Sequence, residues 1–193
     1  MSEMAERGAP FSVCLWPACK PAPDQRVFVL ALGGAASNRP EARTAARLAA
    51  RQALAAQLGQ PLDAVQLHAP PGQPPQVLGR PDIGLSFSHE AGLSLVAVNL
   101  DGPVGVDVAC AEAPPDWAAV ARDYLGPQAV ALGAAGFAPA WVALEAQLKC
   151  CGQALTEWLP ERDALLSAAC RSRGLQLPSA WPGFVAALAV PRS

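Results

Sequence analysis

Asp107 is the residue in this sequence hardest to explain without a partner or a ligand. In Gly105-Val106-Asp107-Val108-Ala109, period-two alternation puts Val104, Val106 and Val108 on one face of a strand and Asp107 with Ala109 on the other. A carboxylate in so apolar a strand is costly to bury unpaired, so it demands a cation, a metal ion or hydrogen-bond donors. A structural ion pair would meet that demand as well as a functional site. Glu145 and Lys149 form a second set of charges, spaced i, i+4 beside the apolar stripe Leu144, Leu148, Cys151 and Leu155. That spacing fits a helix-stabilising ion pair of about 0.3–0.5 kcal/mol, or a carboxylate and an ammonium facing a ligand. Ser88 and His89 stand together at the end of an apolar run, where a single histidine is ordinarily a structural hydrogen-bonding residue. Arg43, Arg47 and Arg51 recur every four residues and make one cationic stripe, which as a bare pattern is a solvated helix face.

The bulk properties limit what such residues can serve. The formal charge is −2, so no broad basic surface for nucleic acid or anionic membrane is expected, and any phosphorylated ligand must meet a local cluster of cations. Apolar residues make up 52% of the 193, enough for a packed core and too many for a disordered chain. The six cysteines form no CxxC pair and no metal-ligand spacing with His68 and His89, and three lie in apolar runs as small buried hydrophobes. The first residues lack the basic and apolar regions of a signal peptide, and no run approaches about 18 uninterrupted apolar residues. A cytoplasmic protein with reduced thiols is expected.

The elements that would position these residues follow from punctuation and periodicity. Arg26–Leu32 reads as a buried strand, and Asn38 and Pro40 open a helix that Gly59 stops. Val65–His68 reads as a strand, and the proline-rich segment 69–81 as a loop. Leu85–Ser88, Leu93–Leu100 and Val104–Ala109 read as strands, with Asp101-Gly102 turning a hairpin between the last two. Asp116 is expected to cap a short helix to Tyr124, Pro139 to precede a strong helix from Ala140 to about Gln153, and Gly183–Val190 to form the last strand.

Order and spacing then carry more than any single residue. Ser86-Phe87-Ser88-His89, Gly105-Val106-Asp107-Val108-Ala109 and Trp141-Val142-Ala143-Leu144-Glu145-Ala146-Gln147-Leu148-Lys149-Cys150-Cys151-Gly152 resemble the signatures of the 4′-phosphopantetheinyl transferase superfamily. Those are a serine-histidine after a strand, a G-[VI]-D-x-E strand and a W-x-x-K-E-A-x-x-K-x-x-G helix. The resemblance covers about residues 39–190, and the length is similar to the larger, monomeric class typified by the surfactin-synthetase activator. It implies an α+β fold of two similar α/β lobes related by a pseudo-twofold, here residues 1–100 and 101–193, with coenzyme A and Mg²⁺ in the cleft between them.

Carried over by position, the resemblance makes Asp107 and Glu145 the Mg²⁺ ligands and has Ser88 and His89 contact coenzyme A. Arg43 and Arg47 would bind its nucleotide phosphates, and Lys149 would neutralise charge on the pyrophosphate. Glu145, directly or through a water, would deprotonate a serine of an acyl or peptidyl carrier protein, which attacks the β-phosphorus and releases adenosine 3′,5′-bisphosphate. The carrier would serve fatty-acid, polyketide or nonribosomal-peptide synthesis. The sequence departs from the pattern at three places. Ala109 stands where an acid is usual, Leu144 where a lysine is usual, and Gly72-Gln73-Pro74 where Gly-Lys-Pro is usual, with Gly79-Arg80-Pro81 a similar tripeptide nearer His89. Two other readings remain open, a relative that binds coenzyme A or a carrier protein without transfer, and a serine hydrolase using Ser86 or Ser88. The hydrolase is disfavoured because no G-x-S-x-G elbow is present and adjacent Ser88 and His89 would face opposite ways.

Overall fold

One side chain determines where the first long helix begins. Asn38 lies in extended backbone, its Oδ1 accepts the Glu41 N–H at 3.0 Å and its Nδ2 donates to Glu41 Oε1 at 2.9 Å. Such a cap contributes about 1 kcal/mol, and Pro40 in the first turn costs no intrahelical bond. Helix α1 (Arg39–Leu58) stops at Gly59, whose φ of 61° is left-handed and suits a residue without Cβ. Both bounds agree with the sequence. The computed structural model describes residues 11–34, 38–70 and 73–192, so the first ten residues and Gly72 of the Gly72-Gln73-Pro74 tripeptide lie outside it.

The described chain is a mixed α+β fold. Its strands are β1 (Phe11–Leu15), β2 (Val27–Gly33), β3 (Leu67–His68), β4 (Gln76–Val77), β5 (Arg80–Glu90), β6 (Leu93–Asn99), β7 (Gly105–Cys110), β8 (Cys170–Gln176) and β9 (Phe184–Pro191). Between β7 and β8 come α2 (Trp117–Val120), which runs into a π turn, then α3 (Gly133–Cys150) and α4 (Pro160–Ala169). The strand order is β3-β4-β5-β6-β2-β1-β8-β9-β7. One unit occurs twice in it: β2, α1, β5 and β6 give the order β5-β6-β2, and β7, α3, β8 and β9 give β8-β9-β7. In each unit the last strand is central and antiparallel to both neighbours. β1 is parallel to β2 and to β8 and joins the two.

Alternation along the strands builds the layers. Phe28 and Leu30 of β2, with Val96 and Val98 of β6, pack under Ala46, Ala49, Ala50, Ala53 and Leu54 of α1. Val29, Ala31, Leu95 and Ala97 point the other way, onto Val104, onto Val106 and Val108 of β7 and onto Leu188 of β9. β6 is therefore buried along its whole length. Behind β9, Ala187 and Ala189 meet Val142, Ala146 and Cys150 of α3. The order of layers is α1, strands of the first unit, strands of the second, α3. Burying a leucine such as Leu54 completely contributes about 1.5–3 kcal/mol.

Several expectations are corrected. Asp101-Gly102 turns no hairpin, because β6 already has β2 and β5 on its two edges and β7 pairs with β9. The chain instead crosses between layers there, pinned by Asn99, which accepts the Asp101 N–H and donates to Pro103 O. α3 starts at Gly133, with Pro139 inside it, so the helix tolerates one missing N–H. The Asp116 side chain makes no cap bond. Leu144 and Leu148 do form a buried stripe, against Leu166 of α4, whereas Leu155 lies beyond the helix and is exposed. Only Leu67–His68 of the expected strand Val65–His68 is a strand. The segment Pro127–Cys150 is long and apolar enough to cross a membrane by length and composition, yet its second half is packed on β7 and β9 and carries Glu145 and Lys149. Arg162 of α4 is buried, has no carboxylate partner among the described residues, and donates to Tyr124 O, Thr156 O and Glu157 O.

Gly105 fixes how closely α3 approaches β7. A Cβ there would fall 1.8 Å from Ala146 O and 2.6 Å from Cys150 N, both backbone atoms of the helix. Gly105→Ala must therefore push α3 off the strand, and a loss of about 2–3 kcal/mol in urea unfolding is expected. Stability equal to the parent would mean that the helix can shift freely over β7.

Candidate functional site

β7 is the last strand of the order, and among the described residues no neighbour forms a regular ladder on its outer side. Its N–H groups at Val106 and Val108 are satisfied by side chains instead. Ser86 Oγ accepts the first at 3.0 Å and Ser88 Oγ the second at 3.2 Å, both from β5. Ser88 Oγ in turn donates to Asp107 Oδ1 at 2.7 Å, and Lys149 Nζ reaches the same oxygen at 2.7 Å and Val106 O at 3.1 Å. Asp107 is 7% exposed and Lys149 half-buried. Lys149 thus pairs across elements with Asp107 and not along the helix with Glu145. Glu145 makes no hydrogen bond or ion pair among the described residues. Burial, and then the charge of Asp107, push its carboxyl above the ordinary range, with Lys149 pulling part of the way back.

These groups line a cleft of about 580 Å³ between the two units. Asp107, Ala109, Glu145 and Lys149 lie on one side, and Ser88, His89, Arg39, Arg43 and Arg47 on the other. Trp141 closes one end, backed by Tyr124 edge-on at 6.0 Å and Phe137 stacked at 5.9 Å. His89 Nδ1 is held by Ser94 Oγ at 2.9 Å, which leaves Nε2 for a ligand. Burial, then Arg43, Arg39 and Lys149, lower the His89 pKa, so the ring is neutral at neutral pH in a strongly cationic corner. Such a corner suits the multiple negative charges of phosphates.

The two carboxylates have the chemistry of a cation site. Asp107 Oδ1 is used by Ser88 and Lys149, while Oδ2 accepts no hydrogen bond among the described residues. Glu145, equally unbonded, lies near enough to feel the Asp107 charge. Among the described residues no three His, Cys, Asp or Glu side chains form a ready cage. Two carboxylates are what Mg²⁺ commonly takes from a protein, with waters and substrate phosphates completing the octahedron. The pair fits that ion.

All seven residues singled out by sequence, Arg43, Arg47, Ser88, His89, Asp107, Glu145 and Lys149, line this one cleft. Arg51 does not join them, because its guanidinium donates to Val65 O and Leu62 O. Arg39 takes its place and was missed, although it lies one i−4 step before Arg43 on the same stripe. Arg80 of the Gly79-Arg80-Pro81 tripeptide is paired with Asp82 at 2.7 Å and is not among the cleft residues. His89 contacts Ser94 and not Ser86 or Ser88, so neither serine named for hydrolysis has a histidine base.

The two shifted groups give tests of opposite sign. The folded pKa of His89 lies below its unfolded value, so its contribution to stability is present above the unfolded pKa and lost as pH falls through the folded one. Inorganic pyrophosphate in the cleft would offset the arginine field, so it is expected to raise the His89 pKa measured from ring NMR shifts. An unchanged titration would place the phosphate elsewhere. The folded pKa of Glu145 is raised, so its contribution is complete below the unfolded pKa and lost as pH rises through the folded one. Glu145→Gln is therefore expected to raise Tm relative to the parent at neutral pH and to do so less in acid; the reverse order would show that the carboxylate is not strained by its surroundings. Compared with protein-family models and with curated proteins, the sequence matches none.

Proposed function

We propose that this chain transfers 4′-phosphopantetheine from coenzyme A to a serine of an apo acyl or peptidyl carrier protein, as a monomer in the cytosol. One observation carries the reading: a single cleft brings three arginines, a histidine and a lysine to one place with three carboxylates, Glu90 of β5 and the pair Asp107 and Glu145 suited to Mg²⁺. The repeated strand–helix–strand–strand unit supports the two-lobed transferase fold that the motifs resemble. Arg39, Arg43 and Arg47 would bind the nucleotide phosphates and His89 Nε2 would donate to one of them. Asp107 and Glu145 would hold Mg²⁺, which supplies charge neutralisation on the pyrophosphate. Lys149 holds Asp107 in position through its Oδ1, and its remaining donor capacity is available to the same phosphates. Glu145, made more basic by burial and by Asp107, accepts the proton of the carrier serine directly or through a water. The serine oxygen bonds to the β-phosphorus as the bond to the bridging oxygen breaks, and adenosine 3′,5′-bisphosphate leaves with the electron pair. Positioning and charge neutralisation do most of the work in such transfers.

Incubation with coenzyme A, Mg²⁺ and a panel of apo carrier proteins, read by intact mass, tests the reading. One carrier is expected to gain a single phosphopantetheine, and Asp107→Asn is expected to lower kcat/KM about 100-fold or more. Ala109 shares the cleft face of Asp107, so Ala109→Glu adds a charge near the metal position and is expected to lower the half-saturating Mg²⁺ concentration about fivefold. A higher Mg²⁺ requirement in the folded variant would show that position 109 does not look onto the metal. The second reading, binding without transfer, draws on Ala109 and on the engagement of Asp107 by Lys149. Coenzyme A that raises Tm while every carrier keeps its mass would select it.

A further inference from the structure

Three cysteines lie together where α3 ends and β8 begins, and the cleft uses none of them. Cys170 is fully buried at the junction of α4 and β8, Cys150 is buried, and Cys151, which caps α3, is half-buried. The Cys151 thiol donates to Cys170 Sγ at 3.7 Å, while the Cys170 thiol points to Leu166 O at 3.4 Å. A lone pair of the Cys170 sulfur therefore already faces the Cys151 sulfur, and a disulfide needs the two to close from 3.7 Å to about 2.05 Å.

We infer that Cys151 and Cys170 form a reversible, peroxide-driven disulfide that clasps the end of α3 to the start of β8. Only Cys151 of the pair is open enough for a small peroxide to reach. Its sulfur attacks the peroxide, the O–O bond breaks, and the products are the Cys151 sulfenic acid and water. Cys170 Sγ then bonds to Cys151 Sγ, hydroxide leaves the sulfenic acid, and it combines with the Cys170 thiol proton as a second water. The two thiols are oxidised by two electrons and one peroxide is reduced. Burial pushes the Cys170 thiol up to about 12 and Cys150 up to about 11, so neither is the thiol that peroxide oxidises first. The bond would close segment 152–169, with α4, into a ring and fix the last turn of α3, which carries Lys149. Cys150 shares a buried cluster with Cys170, but it is closed to peroxide, and the sulfur that Cys170 Sγ meets at 3.7 Å is that of Cys151.

The test treats the reduced, folded protein with a few equivalents of hydrogen peroxide, alkylates the remaining thiols and maps the peptides. Expected is a Cys151–Cys170 crosslink that dithiothreitol reverses, that Cys150→Ser retains and that Cys151→Ser abolishes. The mapping of the unsubstituted protein decides the matter even if a variant folds poorly. Cys170 found alkylated while Cys151 carries a sulfinate or sulfonate would overturn the proposal. So would a crosslink confined to Cys14 and Cys19, whose thiols also meet, one that uses Cys150, or six thiols left unchanged.

Discussion

The outer edge of β7 has two buried N–H groups and, among the described residues, no strand to accept them. That constraint organises the protein. Leaving such donors unpaired costs about 1–3 kcal/mol each, and hydroxyls at Ser86 and Ser88 supply the missing acceptors from β5. A hydroxyl can accept and donate at once. Ser88 uses both capacities, taking the Val108 N–H and giving its proton to Asp107. The bond that closes the two units on each other is therefore also the one that orients the central carboxylate. Lys149 completes the arrangement from α3, so three elements distant in sequence meet on one oxygen.

The same economy explains the electrostatics of the cleft. A buried carboxylate paired with one lysine and one hydroxyl is satisfied on one oxygen only. The second carboxylate, Glu145, finds no partner among the described residues and is held in an environment that disfavours its charge. Across the cleft burial, and then the arginines of α1, impose the opposite strain on His89, which is kept neutral. Each wall is thus poised against its own charge, and a ligand with phosphates on one side and a divalent cation on the other relieves both.

Which residues share the cleft was more legible in the sequence than the strand pairing around it. Asp107 stood out because alternation in a valine-rich strand is a clean signal, and the cap residues Asn38 and Gly59 bounded α1 because they act locally. The failures share a cause. Asp101-Gly102 has the local chemistry of a hairpin, but whether β6 has a free edge depends on β2, far back in the chain. Strand β8 carries Arg171, Arg173 and Gly174 and is only partly buried, so it lacks the apolar alternation that marks a strand. The arginine stripe erred by rotation. A four-residue step overshoots the helical turn by about 40°, so each arginine drifts around α1 relative to the last. Arg51 has turned far enough to serve the turn at Leu62–Ala64, while Arg39 comes into view of the cleft.

Arg162 shows a different way of specifying structure. Among the described residues its guanidinium bonds only backbone carbonyls, at Tyr124, Thr156 and Glu157. It recognises the path of the chain and is indifferent to which residues travel along it. The information that fixes this corner is therefore concentrated in one codon, and the positions it holds are released to vary. A survey of substitutions here would find tolerance spread over the segments being held and intolerance at the residue doing the holding.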